Sequence, residues 1–312
     1  MTLIAVLLAI VTERYWHPWS SINIFAPLTA LRNRLIPPSQ SKQLLNGSSG
    51  LILILLPPVG VIAALQFLLS YTDGLLTGLL ALIFSVMVLA ACVGDHRFGI
   101  HVKRYIQAVS DGQMGTAAAY LEGVTGRSYC DSDLRQLNKE LLGLMLLRQN
   151  ERVLTVLFWF VILGPMGAVL YRSVSQLMGA GVRDSIDIPE HSGNDQAGFQ
   201  DAARRLKGIM DWLPARLTAL CYALIGSFVD ALHVWWQDPQ RPDDDWVAAN
   251  DRLLIDVGIG ALQLRKYYID ADAAVETEMA CTHVREVRKL ARRTLLAGLT
   301  ILAALTITGQ LI

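Results

Sequence analysis

Four long stretches of this 312-residue chain are apolar and almost free of charge, and they decide what it can fold into. Residues 51–70 and 74–93 carry no charged side chain, residues 153–178 carry only Arg172, and residues 295–312 again carry none. About 20 apolar residues in a row match a helix crossing the ~30 Å hydrocarbon layer of a bilayer. A single segment can span lipid only as a helix, because every backbone group must find its partner internally. The pattern predicts an all-α, polytopic membrane protein with about 5 transmembrane or re-entrant helices. Its apolar helices fall near 1–12, 51–70, 74–93, 153–178, 213–234 and 294–312, in one membrane domain covering 1–312.

Charge fixes the orientation. The short connection Tyr71–Asp73 has no basic residue, whereas Arg14, Arg32, Arg34 and Lys42 precede it and Arg97, Lys103 and Arg104 follow. The positive-inside rule puts the turn outside and its flanks in the cytoplasm. The basic run Arg285, Arg288, Lys289, Arg292 and Arg293 belongs on the same side, which requires an even number of crossings between Arg152 and Arg293. The segment after Asp211 supplies the second crossing, or the 153–178 block re-enters without crossing. Gly164-Pro165 in the middle of that block predicts a kink or break.

Other function classes drop out. Only 17% of residues are charged, against about a quarter in ordinary globular chains. The 27 basic and 27 acidic residues balance, so no basic field draws the chain to nucleic acid. Cys92, Cys130, Cys221 and Cys281 form no C-x-x-C pair and the histidines share no ligand spacing, so no metal site is predicted. The amino-terminal run Leu3–Val11 lacks a basic start and a small-residue cleavage site, and reads as a short interfacial or partly inserted helix.

Two polar segments, 94–152 and 246–293, are helical in pattern and are expected in the cytoplasm. In the first, Leu134, Leu137, Leu141, Leu142, Met145 and Leu146 recur at helix spacing, giving an apolar face that packs on other helices. Glycines, serines and aspartates in Gly123–Asp133 mark a loop. Charged groups at membrane depth mark the candidate chemistry, since each costs ~2.5 kcal/mol or more there. Arg172 either snorkels to the interface or binds an anion. In DWLPARLTAL, Asp211 reads as an N-cap, Trp212 as a headgroup anchor and Pro214 as a first-turn residue. Arg216 then opposes the helix dipole, which an acid or anionic ligand would relieve. Glu13, Arg14 and His17 form a further polar group, an interfacial ion pair or an acid–base couple.

The blocks NERVLTVLFWFVILGPMGAVLYRSVSQL (Asn150–Leu177) and ARRLKGIMDWLPARLTAL (Ala203–Leu220) resemble signature blocks of the CobD/CbiB superfamily, membrane proteins of cobalamin biosynthesis. GVTGR (Gly123–Arg127) and HPW (His17–Trp19) fall where that superfamily has a Gly-Arg segment and a His-Pro. MTLIAVLLAIVTER, DWLPARLTALCYALIGSF and the apolar tail are similar to the superfamily's AmpE branch of Gram-negative inner-membrane proteins. That resemblance implies a multi-pass inner-membrane protein that modulates or senses cell-envelope signals linked to β-lactamase induction. It implies a ligand site drawn from Arg127, Asn150, Arg172, Asp211 and Arg216, with Glu151 beside it, for an anionic cell-wall metabolite. A cell-wall amidase or another envelope protein is the implied partner, with the lipid bilayer around both. The alternative is an amide-forming synthase related to adenosylcobinamide-phosphate synthase, which would bring Mg2+ and a nucleotide. Against it, Gln149 stands where the synthases carry an acid, ERVL lacks their Asp-Gly, and SVSQLMG after Arg172 has no acid.

Overall fold

A computed structural model describes residues 2–16, 48–71, 74–93, 96–129, 132–187, 194–237, 245–269 and 275–307, which form helices and connecting turns with no strand among them. In chain order the helices are α1 (Thr2–Trp16), α2 (Ser48–Tyr71), α3 (Leu75–Val93), α4 (His96–Ser110), α5 (Met114–Thr125) and α6 (Leu134–Gln149). A π-helical turn, Asn150–Leu154, follows α6. Then come α7 (Thr155–Leu163), α8 (Pro165–Asp187), α9 (Asn194–Ile225), α10 (Phe228–Gln237), α11 (Trp246–Ala261), α12 (Arg265–Tyr268) and α13 (Thr277–Ile307). The chain divides into two compact units, one of Met1–Gly94, Thr155–Asp211 and Leu302–Ile312, the other of Asp95–Leu154 and Trp212–Ile301.

The first unit is built around α8, which packs against α2, α3 and α7. Ala168, Tyr171, Ser173 and Val174 of α8 are fully buried. Among the described residues, two stretches are long and apolar enough to cross a membrane, Ser48–Leu69 of α2 and one that opens at Leu76 in α3. Their outer faces carry Ile52, Leu56, Phe67 and Leu68 on α2 and Leu76 and Leu79 on α3, all exposed. Large apolar groups facing outward suit lipid, which leaves helix contacts to smaller residues. Pro57 and Pro58 lie inside α2 without ending it.

The break expected at Gly164-Pro165 is there, between α7 and α8. Gly164 adopts φ +68°, a left-handed conformation that glycine enters without a Cβ penalty. Gln66 of α2, the one polar side chain in the middle of its block, closes the break. Its Nε2 donates to the Leu163 carbonyl (3.4 Å), and Met166 N–H donates to its Oε1 (3.2 Å). The backbone groups freed by the break thus find a side-chain partner from the neighbouring helix.

In the second unit α4 packs on α5, α6 on α11 and α10 on α11. Asp133 caps α6, accepting from Leu134 N–H at 2.7 Å, and the predicted apolar face of α6 (Leu137, Leu141, Leu142, Met145, Leu146) is buried. Gly226 separates α9 from α10 at a close approach, where a Cβ would run into the Ala261 carbonyl oxygen. Ser227 N–H donates to that oxygen at 2.7 Å. The 213–234 block is therefore a helix end and a second short helix, not one span. The basic run Arg285–Arg293 and the last apolar block as far as Ile307 share one helix, α13.

The helix start expected at Asp211 is not where the structure puts it. α9 begins at Asn194, so Asp211 and Pro214 lie well inside it and Asp211 is no N-cap. The physical reason is a buried face, Phe199, Ala203, Lys207, Met210 and Asp211, that repeats at helix spacing. Two of its members are charged, and Arg204 and Arg205 occupy the exposed side, so the periodicity is hidden in composition. Pro214 cannot donate to the Met210 carbonyl, and Trp159 Nε1 donates there instead, at 3.3 Å.

Candidate functional site

Each unit holds its own buried polar groups. In the first unit Arg172, Lys207 and Asp211 are 5%, 3% and 3% exposed, deep in apolar surroundings. Lys207 Nζ lies 2.7 Å from Asp211 Oδ2, an i,i+4 pair on the buried face of α9. Arg172 sits on the inner helix α8 and within electrostatic reach of Cys92 on α3, so it does not snorkel to a surface. Thr155 and Ser173 are fully buried, and their hydroxyls have no hydrogen-bond partner among the described residues.

In the second unit Asn150 is buried at the π-helical turn and accepts a hydrogen bond from Thr218 Oγ1 at 2.9 Å. One turn along α9, Tyr222 OH donates to the Leu146 carbonyl at 3.3 Å. π-Turns widen the helix and disturb its ladder, and they recur at functional positions. Glu151, next in the turn, is half-buried. Arg216 is also half-buried, its Nη1 donating to the Trp212 carbonyl (3.0 Å) and to Asn250 Oδ1 (3.3 Å). Its guanidinium lies 4.2 Å from the Trp212 ring centroid. Because α9 starts far upstream, Arg216 does not oppose a helix dipole, whose effect fades beyond the first turn.

Arg127 is set apart from Asn150. It is 77% exposed, 3.7 Å from Glu140. Glu140 stands ten residues before Asn150 on α6, roughly 15 Å along the helix axis. The loop around Arg127 is held by Glu122, whose Oε1 accepts from Tyr129 N–H at 2.8 Å. That backbone hydrogen bond, with a second from Ser128, draws the Glu122 carboxyl below its ordinary range. Glu13 and Arg14 fall within α1, but their side chains, like His17 as a whole, lie outside the described residues.

Sequence reasoning missed several of these groups. Lys207 was legible as K-x-x-x-D, the i,i+4 spacing of a helical ion pair. Thr218, Tyr222 and Asn250 gave no signal of their own. A separate buried network was also missed: Asn138 Nδ2 donates to Tyr268 OH at 2.6 Å, which stands 2.7 Å from His283 Nδ1. Burial pushes the Tyr268 phenol up to about 12 and lowers the His283 imidazole. Tyr268 OH accepts from Asn138, and the imidazole tautomer sets which of Tyr268 OH and His283 Nδ1 donates to the other.

Helices throughout the described residues, two stretches of them long and apolar enough to cross a bilayer, define the class as a helical membrane protein. The family model described as CobD/Cbib protein matches residues 2–289, and the chain belongs to that family. Among curated proteins it is 29% identical to "Cobalamin biosynthesis protein CobD" of Chromobacterium violaceum over 59% of this chain and 55% of that one. It is 28% identical to the protein of the same name from Stutzerimonas stutzeri, over 64% and 60%. "Protein AmpE" of Shigella flexneri is 25% identical over 78% of this chain and 80% of its own length. In its matches to the first of these relatives the chain spans little more than half of their length. No solved structure matches. The resemblance to the superfamily is thus confirmed, whereas the narrower AmpE assignment rests on a more distant relative than the CobD names do.

Proposed function

We propose that this chain works in cobalamin biosynthesis, as an amide-forming protein that joins an amine bearing a phosphate to a carboxylate, with a nucleoside triphosphate consumed to activate the carboxylate so that its oxygen leaves on phosphate. The reading reverses the order favoured by the sequence, because the nearer relatives carry the CobD name. The observation that carries it is the buried charge of the first unit. Ionised groups in apolar surroundings cost several kcal/mol each unless paired or tasked, ~3 kcal/mol even on insertion scales. Arg172 suits the phosphate or carboxylate group of such a substrate, and the Thr155 and Ser173 hydroxyls offer further donors, whereas Lys207 is held by Asp211. Among the described residues no three His, Cys, Asp or Glu side chains come together.

Complementation tests the proposal. A cobalamin-synthesis mutant lacking its own CobD-type protein should grow without added corrinoid when it carries this chain, and Arg172→Ala should abolish that growth. No growth with the wild-type chain present in the membrane fraction would overturn it.

The second reading is an AmpE-type modulator of envelope signals in the inner membrane of a Gram-negative bacterium. It is favoured by coverage, since that relative aligns over 80% of its length. Its ligand would be an anionic cell-wall metabolite and its partner a cell-wall amidase. Failed complementation together with altered β-lactamase induction in a deletion strain, and saturable binding of muropeptides to the purified protein, would select it.

A further inference from the structure

In the second unit, the last part of α9 is built inside out for a protein in water. Ala215, Ala219, Tyr222 and Ala223 are fully buried or nearly so, whereas Leu213, Leu217, Leu220 and Leu224 are 45%, 45%, 42% and 66% exposed. At 3.6 residues per turn, those four leucines fall within an arc of about 60°. The helix thus turns its small residues to protein and its largest aliphatic ones outward. Helices between protein and lipid follow that rule, because close packing, not burial of apolar area, is what holds them to their neighbours. The polar groups on the inner side are satisfied there, Thr218 on Asn150 and Tyr222 on the Leu146 carbonyl. At the start of the stripe Trp212 is 43% exposed with the Arg216 guanidinium stacked on it, the kind of pair that sits at headgroup level.

Length decides the mode of contact. From Trp212 to the end of α9 at Ile225 the helix extends only ~20 Å, short of the ~30 Å hydrocarbon layer. Beyond Gly226 the chain turns, and Ser227 and Gln263 hydrogen-bond the Asp230 carboxylate, an arrangement suited to a polar boundary. We propose that the outer face of α9 from Trp212 to Leu224 is a monotopic membrane surface, lying in one leaflet with the four leucines among acyl chains and Trp212–Arg216 among the headgroups. The partner is lipid, not a second protein, because the face is one-sided, aliphatic and uncharged apart from Arg216 at its headgroup end. The proposal is independent of which family function holds.

Spin labels test it on the full-length chain reconstituted in phosphatidylcholine–phosphatidylglycerol vesicles, with the native cysteines replaced. Labels at Leu213→Cys, Leu217→Cys, Leu220→Cys and Leu224→Cys are each expected to collide several-fold more with oxygen than with a water-soluble nickel chelate, whereas a label at Lys139→Cys does the reverse. Leucine-site labels that favour nickel would show a face open to water and overturn the proposal. Labels shielded from both reagents and immobile would show a protein partner, a second copy included, and overturn it as well. The unlabelled chain answers the same question: Trp212 emission, taken as wild type minus Trp212→Phe, should be quenched by lipids brominated near the headgroup, and unquenched emission would count against it.

Discussion

Lys207 and Asp211 hold the strongest single interaction on the buried face of α9, a 2.7 Å pair whose side chains are 4% and 5% exposed. Removing one partner leaves the other charge buried, which costs ~3–5 kcal/mol, whereas replacing both by apolar groups of similar size is often close to neutral. Lys207→Met and Asp211→Leu should each lower the thermal midpoint in detergent steeply, and the double variant should recover most of the loss; additive losses would count against the pairing. Arg127 makes the opposite case, since an exposed pair is worth ~0–1 kcal/mol. Arg127→Ala should leave the midpoint within error. His283 carries a pH dependence with a definite sign. Burial lowers its folded pKa below 6.5, so the unfolded chain binds the proton first as pH falls. Its contribution is present above pH 6.5 and is lost as pH drops from there towards the folded value. Thermal midpoints measured from pH 7.5 down to 5.5 should fall in wild type and fall less in His283→Gln, which keeps a hydrogen-bond partner for Tyr268.

The break between α7 and α8 shows how one side chain can complete a secondary-structure element. Gln66 bonds to both ends of the break, on Leu163 and Met166, and leucine in its place would leave those backbone groups unmet. A backbone polar group left unmet in an apolar phase costs ~1–3 kcal/mol, so Gln66→Leu should lower the detergent midpoint despite raising the hydropathy of α2. Gln66→Asn, too short for both bonds, should do nearly the same, and an unchanged midpoint in both variants would refute the role. The break itself was legible, because Gly-Pro inside an apolar run has few other outcomes. Its closure was not, because it depends on a residue 97 positions away in sequence. The start of α9 was misread for a related reason. Asp, Pro and Arg at 211, 214 and 216 form a convincing helix opening, but tertiary burial of Phe199, Ala203 and Lys207 extends the helix through them. Local signals name good caps; packing decides which are used.

At the scale of the whole molecule the helical class and the membrane setting follow from four apolar blocks that hold a single charge, Arg172, whereas the candidate site did not emerge as one set of residues. Asn150 is anchored by Thr218, Arg216 turns to Asn250, and Arg127 stays on an exposed loop, contacts that no spacing in the sequence encodes. Orientation in the bilayer, in contrast, is a sequence property that the fold makes testable. Ser48 opens α2 and Gly74 precedes α3, both are exposed, and α2 between them is long enough to cross. Arg32, Arg34 and Lys42 lie just before Ser48, and no lysine or arginine lies between Ser48 and Gly74. Basic residues near a span resist translocation, so the Ser48 end should face the cytoplasm and Gly74 the opposite side. In intact spheroplasts a membrane-impermeant maleimide should label Gly74→Cys at once and Ser48→Cys only after permeabilisation. The reverse pattern would invert the orientation of the chain, and equal labelling of both without permeabilisation would mean that α2 does not cross.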